Sequence, residues 1–140
     1  MKILVAVDGS DSANRALEFA ARLAAQSQAE LSIVTVHQHV VDEDVKCFGR
    51  IENATIWDLL EQEAASLLRA SRTGATKLGV DKISTHADDG DPASALLERA
   101  RECDLMVIGR RGRGRLTGLL LGSVSQKLAA LSPVPVVIVP

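Results

Sequence analysis

The chain has 140 residues, a length that fits one domain, and at this size a fold buries roughly 68% of the surface its extended chain exposes, so no disulfide or metal staple is needed. Hydrophobic residues at 46% and charged residues at 24% exclude disorder, collagen-like repeats and coiled coil. Sixteen basic against eighteen acidic side chains leave a formal charge of -2, which calls for no polyanionic partner. Phe19, Phe48 and Trp57 are the only aromatics, so the core is aliphatic and a base-stacking platform for single-stranded nucleic acid is excluded.

The first apolar run, Met1 to Val7, is stopped by Asp8, too early for a secretory segment, and no apolar run reaches membrane-spanning length. Cys47 and Cys103 make no disulfide framework, and the expectation is a cytoplasmic protein with both thiols reduced.

Apolar runs and amphipathic stretches alternate from end to end, the pattern of a parallel sheet covered by helices. Lys2 to Val7 is continuously apolar and predicts a first strand buried on both faces. Leu17, Ala20, Ala21 and Ala24 recur at i, i+3, i+4 and i+7 in a first helix that Ser10 or Asp11 can cap. Leu31 to Val36 is the second strand. From about His37 to Asn53 periodicity is lost, and the reading is a long loop or insert. Trp57, Leu60, Ala64, Leu67 and Leu68 then predict a second helix ending before Gly74.

Val80 to Ala87 is a weaker third strand. Asp91 and Pro92 open a third helix as cap and first helical residue, with Leu96, Leu97 and Ala100 on its buried face. Asp104 to Ile108 is strand four. Ser123, with Gln126 three residues on, predicts a capping box for a last helix carrying Val124, Leu128 and Leu131. Pro135 to Val139 closes the sheet; Pro133 and Pro135 donate no N–H, so this strand starts at, or lies on, a sheet edge.

Five of the ten glycines, Gly109, Gly112, Gly114, Gly118 and Gly122, fall in one passage directly after the fourth strand and before the last helix. Strand-to-helix loops usually take about 2–6 residues, so a long glycine-rich one costs chain entropy unless it holds something. Glycine lets backbone N–H groups approach a ligand, and a helix start adds unpaired donors with a partial positive charge. That combination suits phosphate. The dipole alone supplies about 0.3–1 kcal/mol, so affinity must come from several hydrogen bonds together, to which Arg110, Arg111, Arg113 and Arg115 can add charge-assisted ones; the same arginines also read as a solvated loop face. The Walker pattern is absent, since no lysine stands between Gly122 and Ser123, and Gly112-x-Gly114 is one residue too far from Gly118 for the dinucleotide fingerprint.

What the passage resembles is the signature of the universal stress protein family, G-x2-G-x9-G-[ST], met by Gly109, Gly112, Gly122 and Ser123. Val5 to Ser10 is similar to that family's first strand and loop, Gly90 to Ala93 to the start of its third helix, and Pro133 to Pro140 to its last strand. The resemblance implies an α/β fold: an open, doubly wound, Rossmann-like sheet of five parallel strands in the order 3-2-1-4-5, with helices on both faces. It also implies ATP binding, since members bearing this signature typically bind ATP, with Mg carried on the nucleotide. In such a sheet the loops at Asp8 and at Gly109 to Ser123 meet at the topological switch point, where ligands bind.

By resemblance, Asp8 and the main chain near Val36 hold the adenine, with Asp8 also near the metal. Gly109 lies at the ribose, Gly112, Gly122, Ser123 and Ser125 hold the triphosphate, and Arg111 and Val124 complete the set. An Asp after a first strand also caps the following helix in many folds, which is the competing reading of Asp8. No catalytic residue is expected: hydrolysis needs a positioned base or water-orienting group, and the sequence offers only Asp8 and the hydroxyls of Ser123 and Ser125. The functional expectation is an ATP-dependent switch or sensor in stress response. Its alternatives are a slow ATPase or phosphoryl-transfer enzyme and a nucleotide-free interaction module.

The apolar last strand, 135–139, would expose an unpaired ladder, so a homodimer through it is expected, a pairing the resemblance also implies. His37, His39 and Cys47 lack a fourth ligand at a completing spacing for a metal site. Cys103 reads as a small buried filler and His86 as structural.

Overall fold

The computed structural model describes residues 1–37, 50–111 and 121–140, with side chains described throughout these ranges except at 50–56. The chain runs β1 (Lys2–Ala6), α1 (Asp11–Ser27), β2 (Glu30–His37), α2 (Arg50–Lys77), β3 (Ile83–Asp89), α3 (Pro92–Ala100), β4 (Leu105–Gly109), α4 (Ser123–Leu131) and β5 (Val136–Val139). The strands form one sheet in the order β3-β2-β1-β4-β5, and every pairing is parallel.

Successive side chains of a strand point to opposite faces, and the central strands are apolar on both. Ile3, Val5, Leu31, Ile33 and Val107 pack with α1 and α2 on one face. Leu4, Val34, Met106 and Ile108 pack with α3 and α4 on the other. Six residues of β1 and β2, Ile3, Leu4, Val5, Leu31, Ile33 and Val34, are wholly excluded from solvent, which at about 1.5–3 kcal/mol per buried aliphatic side chain makes the sheet centre the main source of hydrophobic stabilisation.

Helix α1 reaches the sheet through Ala13, Ala16, Ala20, Ala21 and Ala24, side chains short enough to let its backbone lie close to the strands. Its cap is Ser10, whose Oγ accepts the Ala13 N–H at 3.2 Å. Asp8 does not cap α1: its Oδ1 accepts the Ser10 N–H at 2.9 Å, and Gly9 takes the left-handed turn at φ 81°.

Two boundaries differ from expectation. Helix α2 continues through Gly74 to Lys77, because Ala75, fully buried, continues its core-facing stripe, and one exposed-side glycine costs a helix only about 1 kcal/mol. The terminator is Gly79, at φ 98°. Its N–H bonds the Thr76 carbonyl at 3.0 Å and the Val80 N–H bonds the Ala75 carbonyl at 3.2 Å, the two-bond cap that a left-handed glycine permits. Val80 is thereby committed to ending α2, and β3 starts at Ile83 rather than Val80. β5 is an edge strand beginning just after Pro135, whose carbonyl accepts the Met106 N–H at 2.9 Å.

The opposite edge carries charge. Asp88 of β3 and Arg99 of α3 form a two-pronged ion pair, Nε to Oδ2 and Nη2 to Oδ1, the latter at 2.6 Å. The Arg99 hydrogen bonds hold the Asp88 carboxyl below the ordinary carboxylate value, against the opposing effect of burial. On the same strand, burial and then the Arg99 charge lower the pKa of His86. Three residues past the end of α3, Cys103 is buried, with its Sγ 3.4 Å from the Arg99 carbonyl, and desolvation raises its thiol pKa.

Both β3 groups have folded pKa values below their unfolded ones, so each withdraws stability as protons bind. His86 does so as pH falls below 6.5 and Asp88 as it falls below 3.8. Asp88→Asn is expected to cost about 1–2 kcal/mol at pH 7, a hydrogen-bonded charge pair discounted for partial exposure. Urea denaturation of both proteins across pH 2–7 checks this: the gap should be constant near neutrality and close below pH 3.8.

Candidate functional site

β1 lies between β2 and β4; the chain leaves β1 for α1 on one face and leaves β4 for α4 on the other. The two departures open a crevice at the carboxyl ends of the strands, the place where open α/β sheets bind ligands. A cavity of about 890 Å³ occupies it, near the upper end of the roughly 300–1,000 Å³ of small-molecule sites.

The floor is made by the ends of β1, β2 and β4, including Asp8, Val36 and Gly109. One wall is the first turn of α4, Gly122 to Ser125; another is α2, through Leu60, Ala64 and Leu67. The α2 side of the cavity sets Glu63 and Ser66 beside these apolar residues, and the α4 side carries the polar backbone of a helix start. Asp8, Val36, Gly109, Arg111, Gly122, Ser123, Val124 and Ser125 all line this one space. Gly112 lies outside the described residues, as do Arg113 and Arg115.

The wall at α4 differs from the capping box that the sequence predicts. Ser123 is the first helical residue, and the cap is Gly122, extended at φ -68° and ψ 165°, which supplies no side-chain bond. Gln126 donates instead to the Leu121 carbonyl at 3.0 Å. The physical reason is the hold on Gly122 itself, whose N–H donates to the Arg110 carbonyl at 2.9 Å and so draws the helix start back one residue. The first N–H groups of a helix have no intrahelical partners, and with a glycine cap those of Ser123, Val124 and Ser125 receive no side-chain cap and face a cavity that their residues line.

Gly109 has a packing role that spacing alone does not reveal. A Cβ there would stand 2.5 Å from Ser12 Oγ, 2.8 Å from the Ser12 carbonyl carbon and 2.9 Å from the Ala13 nitrogen. Only a glycine lets the start of α1 touch β4 this closely. From the other face, the buried Ser125 hydroxyl donates to the Gly109 carbonyl at 2.8 Å. Asp8, which lines the cavity, accepts the Ser10 N–H through Oδ1.

Sequence reasoning missed Ser12. It is 7% exposed, and its hydroxyl donates to the Val139 carbonyl at 3.1 Å and accepts the Arg111 N–H at 3.4 Å. The signal was a hydroxyl four residues before Ala16, on the stripe that buries α1. The α2 wall was missed because Leu60, Ala64 and Leu67 read simply as core. His37 lines the cavity, whereas His39 and Cys47 lie outside the described residues, among which no cluster of metal-ligating side chains occurs.

Fold and crevice together define a doubly wound, Rossmann-like α/β protein, with its cleft at the switch point and a glycine-capped helix on the cleft wall. A family model, the universal stress protein family, matches residues 1–140. The chain belongs to that family. It is 37% identical to universal stress protein YxiE of Bacillus subtilis over 99% of this chain and 97% of that one. Among solved structures it resembles a universal stress protein in complex with cAMP, with a TM-score of 0.74 and 31% identity over 99% of this chain and 95% of that one. It also resembles the universal stress protein from Archaeoglobus fulgidus in complex with dAMP, with a TM-score of 0.70 and 25% identity over 100% of this chain and 98% of that one.

Gly109→Ala is expected to force α1 away from β4, since two of the three atoms in its way are backbone, and to cost about 1–3 kcal/mol, the usual range for overpacking. Thermal and urea denaturation measure it; a variant as stable as the parent would mean that the helix start yields freely.

Proposed function

We propose that the cleft binds an adenine nucleotide, ATP with Mg in the first place, and that the protein acts as a nucleotide-dependent switch or sensor in stress response. The observation that carries the reading is the meeting of Asp8 and Val36 with Gly109, Arg111 and the start of α4 around one cavity, although these residues are far apart in sequence. Support comes from the two solved relatives that are in complex with cAMP and with dAMP.

In this reading Asp8 and the main chain at Val36 face the adenine, and Asp8 Oδ2 is available to a nucleotide-borne Mg. The ribose lies by Gly109. The N–H groups of Ser123, Val124 and Ser125 receive phosphate oxygens, aided by the partial positive charge of the helix start, and Arg111 and Gly112 contribute from the loop. The Ser125 hydroxyl proton is already given to Gly109, so toward a phosphate this residue offers its backbone N–H. Bound Mg would neutralise phosphate charge. The chain's own residues bind and orient.

Titration of the protein with ATP, with and without Mg, should show saturable binding near micromolar, about -8 kcal/mol; no binding at millimolar ATP would remove the reading. Gly122→Val is expected to weaken ATP at least about tenfold, or about 1.4 kcal/mol. Valine readily adopts the extended backbone found at this position, so the loss reads ligand access rather than strain.

The half-buried apolar edge β5 supports a second part of the proposal, a homodimer joined through residues 135–139, since an unpaired apolar edge invites a partner strand. Sedimentation at micromolar concentration should give a dimer, and monomer alone would end that part.

A further inference from the structure

Ser12 stands where three segments meet, and nothing in the nucleotide reading uses it. Its hydroxyl is the junction between the start of α1, the end of β5 and the loop that leaves β4: it donates to the Val139 carbonyl at 3.1 Å and accepts the Arg111 N–H at 3.4 Å. The Val139 carbonyl also accepts the Arg110 N–H at 2.7 Å, and the Arg110 carbonyl accepts the Gly122 N–H at 2.9 Å. A continuous set of bonds therefore runs from the edge strand, through Ser12 and Arg110, to the cap of the helix that lines the cavity.

A serine within a helix ordinarily bonds back to its own preceding turn or to water. Ser12 is buried and spends both hydroxyl functions outside its own helix, in a space kept open by Gly109, where a Cβ would stand 2.5 Å from the Ser12 Oγ. Packing alone would be served by alanine, which matches the small residues lower on the same stripe; the hydroxyl is needed only for the two bonds.

We infer that Ser12 is a positioning residue for the cleft: through the Arg111 main chain it sets where the glycine-rich loop begins, and through the Val139 carbonyl it ties that setting to the edge strand. The inference deepens the nucleotide reading and rests on it for the effect on ligand affinity. Its structural half, the joint hold on loop and strand, stands without a ligand. Because both segments share one hydroxyl, ligand binding and the position of β5 are linked, and the linkage acts in both directions.

The test is amide hydrogen exchange on the full-length chain, read for 105–111, for 136–139 and for β1 as an internal standard, in the parent, in Ser12→Ala and in Leu31→Val. Leu31→Val is a core control that lowers global stability away from the junction. Ser12→Ala is expected to speed exchange about tenfold in 105–111 and 136–139 relative to β1, whereas Leu31→Val leaves that ratio unchanged. Added Mg-ATP should slow exchange in 136–139 of the parent and by less in Ser12→Ala, where the Arg110 N–H still bonds the Val139 carbonyl, and Ser12→Ala should bind ATP about tenfold more weakly.

Exchange in Ser12→Ala that matches the parent, or that rises equally in β1, would overturn the assignment. Unchanged ATP affinity in Ser12→Ala would overturn its positioning half. If the parent itself binds no ATP, the nucleotide reading fails, and the exchange ratio without ligand still decides whether Ser12 holds loop and strand together.

Discussion

The contact on which the rest of the arrangement depends is the approach of α1 to the end of β4 at Gly109. Helices usually stand off a sheet by the length of their side chains, but α1 presents alanines to the strands and meets a residue with no side chain at its own first turn. Alanine surfaces interlock weakly, so they do little to fix how far a helix is shifted along its axis. The end contacts do that: the Ser12 bonds, and the Arg15 Nε that donates to the Pro140 carbonyl at 2.6 Å. The first loop, carrying Asp8, and the fourth, beginning at Gly109, are thereby held next to one another, and the crevice between them has fixed walls.

The second constraint is an omission. A helix start normally receives a Ser, Thr, Asp or Asn side chain, and α1 and α3 follow that rule with Ser10 and Asp91. α4 does not, although serine is the very next residue. Gly122 is held by the Arg110 carbonyl, which places Ser123 inside the helix and keeps its side chain from serving as the cap. Two helices with side-chain caps thus stand beside one whose glycine cap supplies no side-chain bond, and that one is at the cavity.

The strands, the Asp91-Pro92 helix start and the glycine-bearing passage could be read from the sequence, because each rests on a local signal: continuous apolar runs, a cap followed by proline, a spacing; the strand order came only from the resemblance to the universal stress protein family, and the sheet has that order. What escaped was set by contacts between distant segments. Gly74 reads as a stop, yet buried Ala75 carries α2 onward and Gly79 ends it. Ser123 with Gln126 reads as a capping box, yet a hydrogen bond from the preceding glycine moves the helix boundary. Ser12 is one hydroxyl among several after β1, and only the fold shows that β5 and the loop after β4 converge on it. The ion pair between Asp88 and Arg99 is of the same kind, joining a strand to the helix that follows it across a register that charge content does not reveal.

Cys103 shows how the same packing sets chemical reactivity. Peroxides and alkylating reagents attack the thiolate, and they need a path to sulfur. Here desolvation raises the thiol pKa, and Cys103 is buried in the connection between α3 and β4. Oxidants that reach this protein therefore meet at Cys103 an enclosed thiol whose pKa is raised, the opposite of the exposed, acidic cysteine that is readily converted to its sulfenic form.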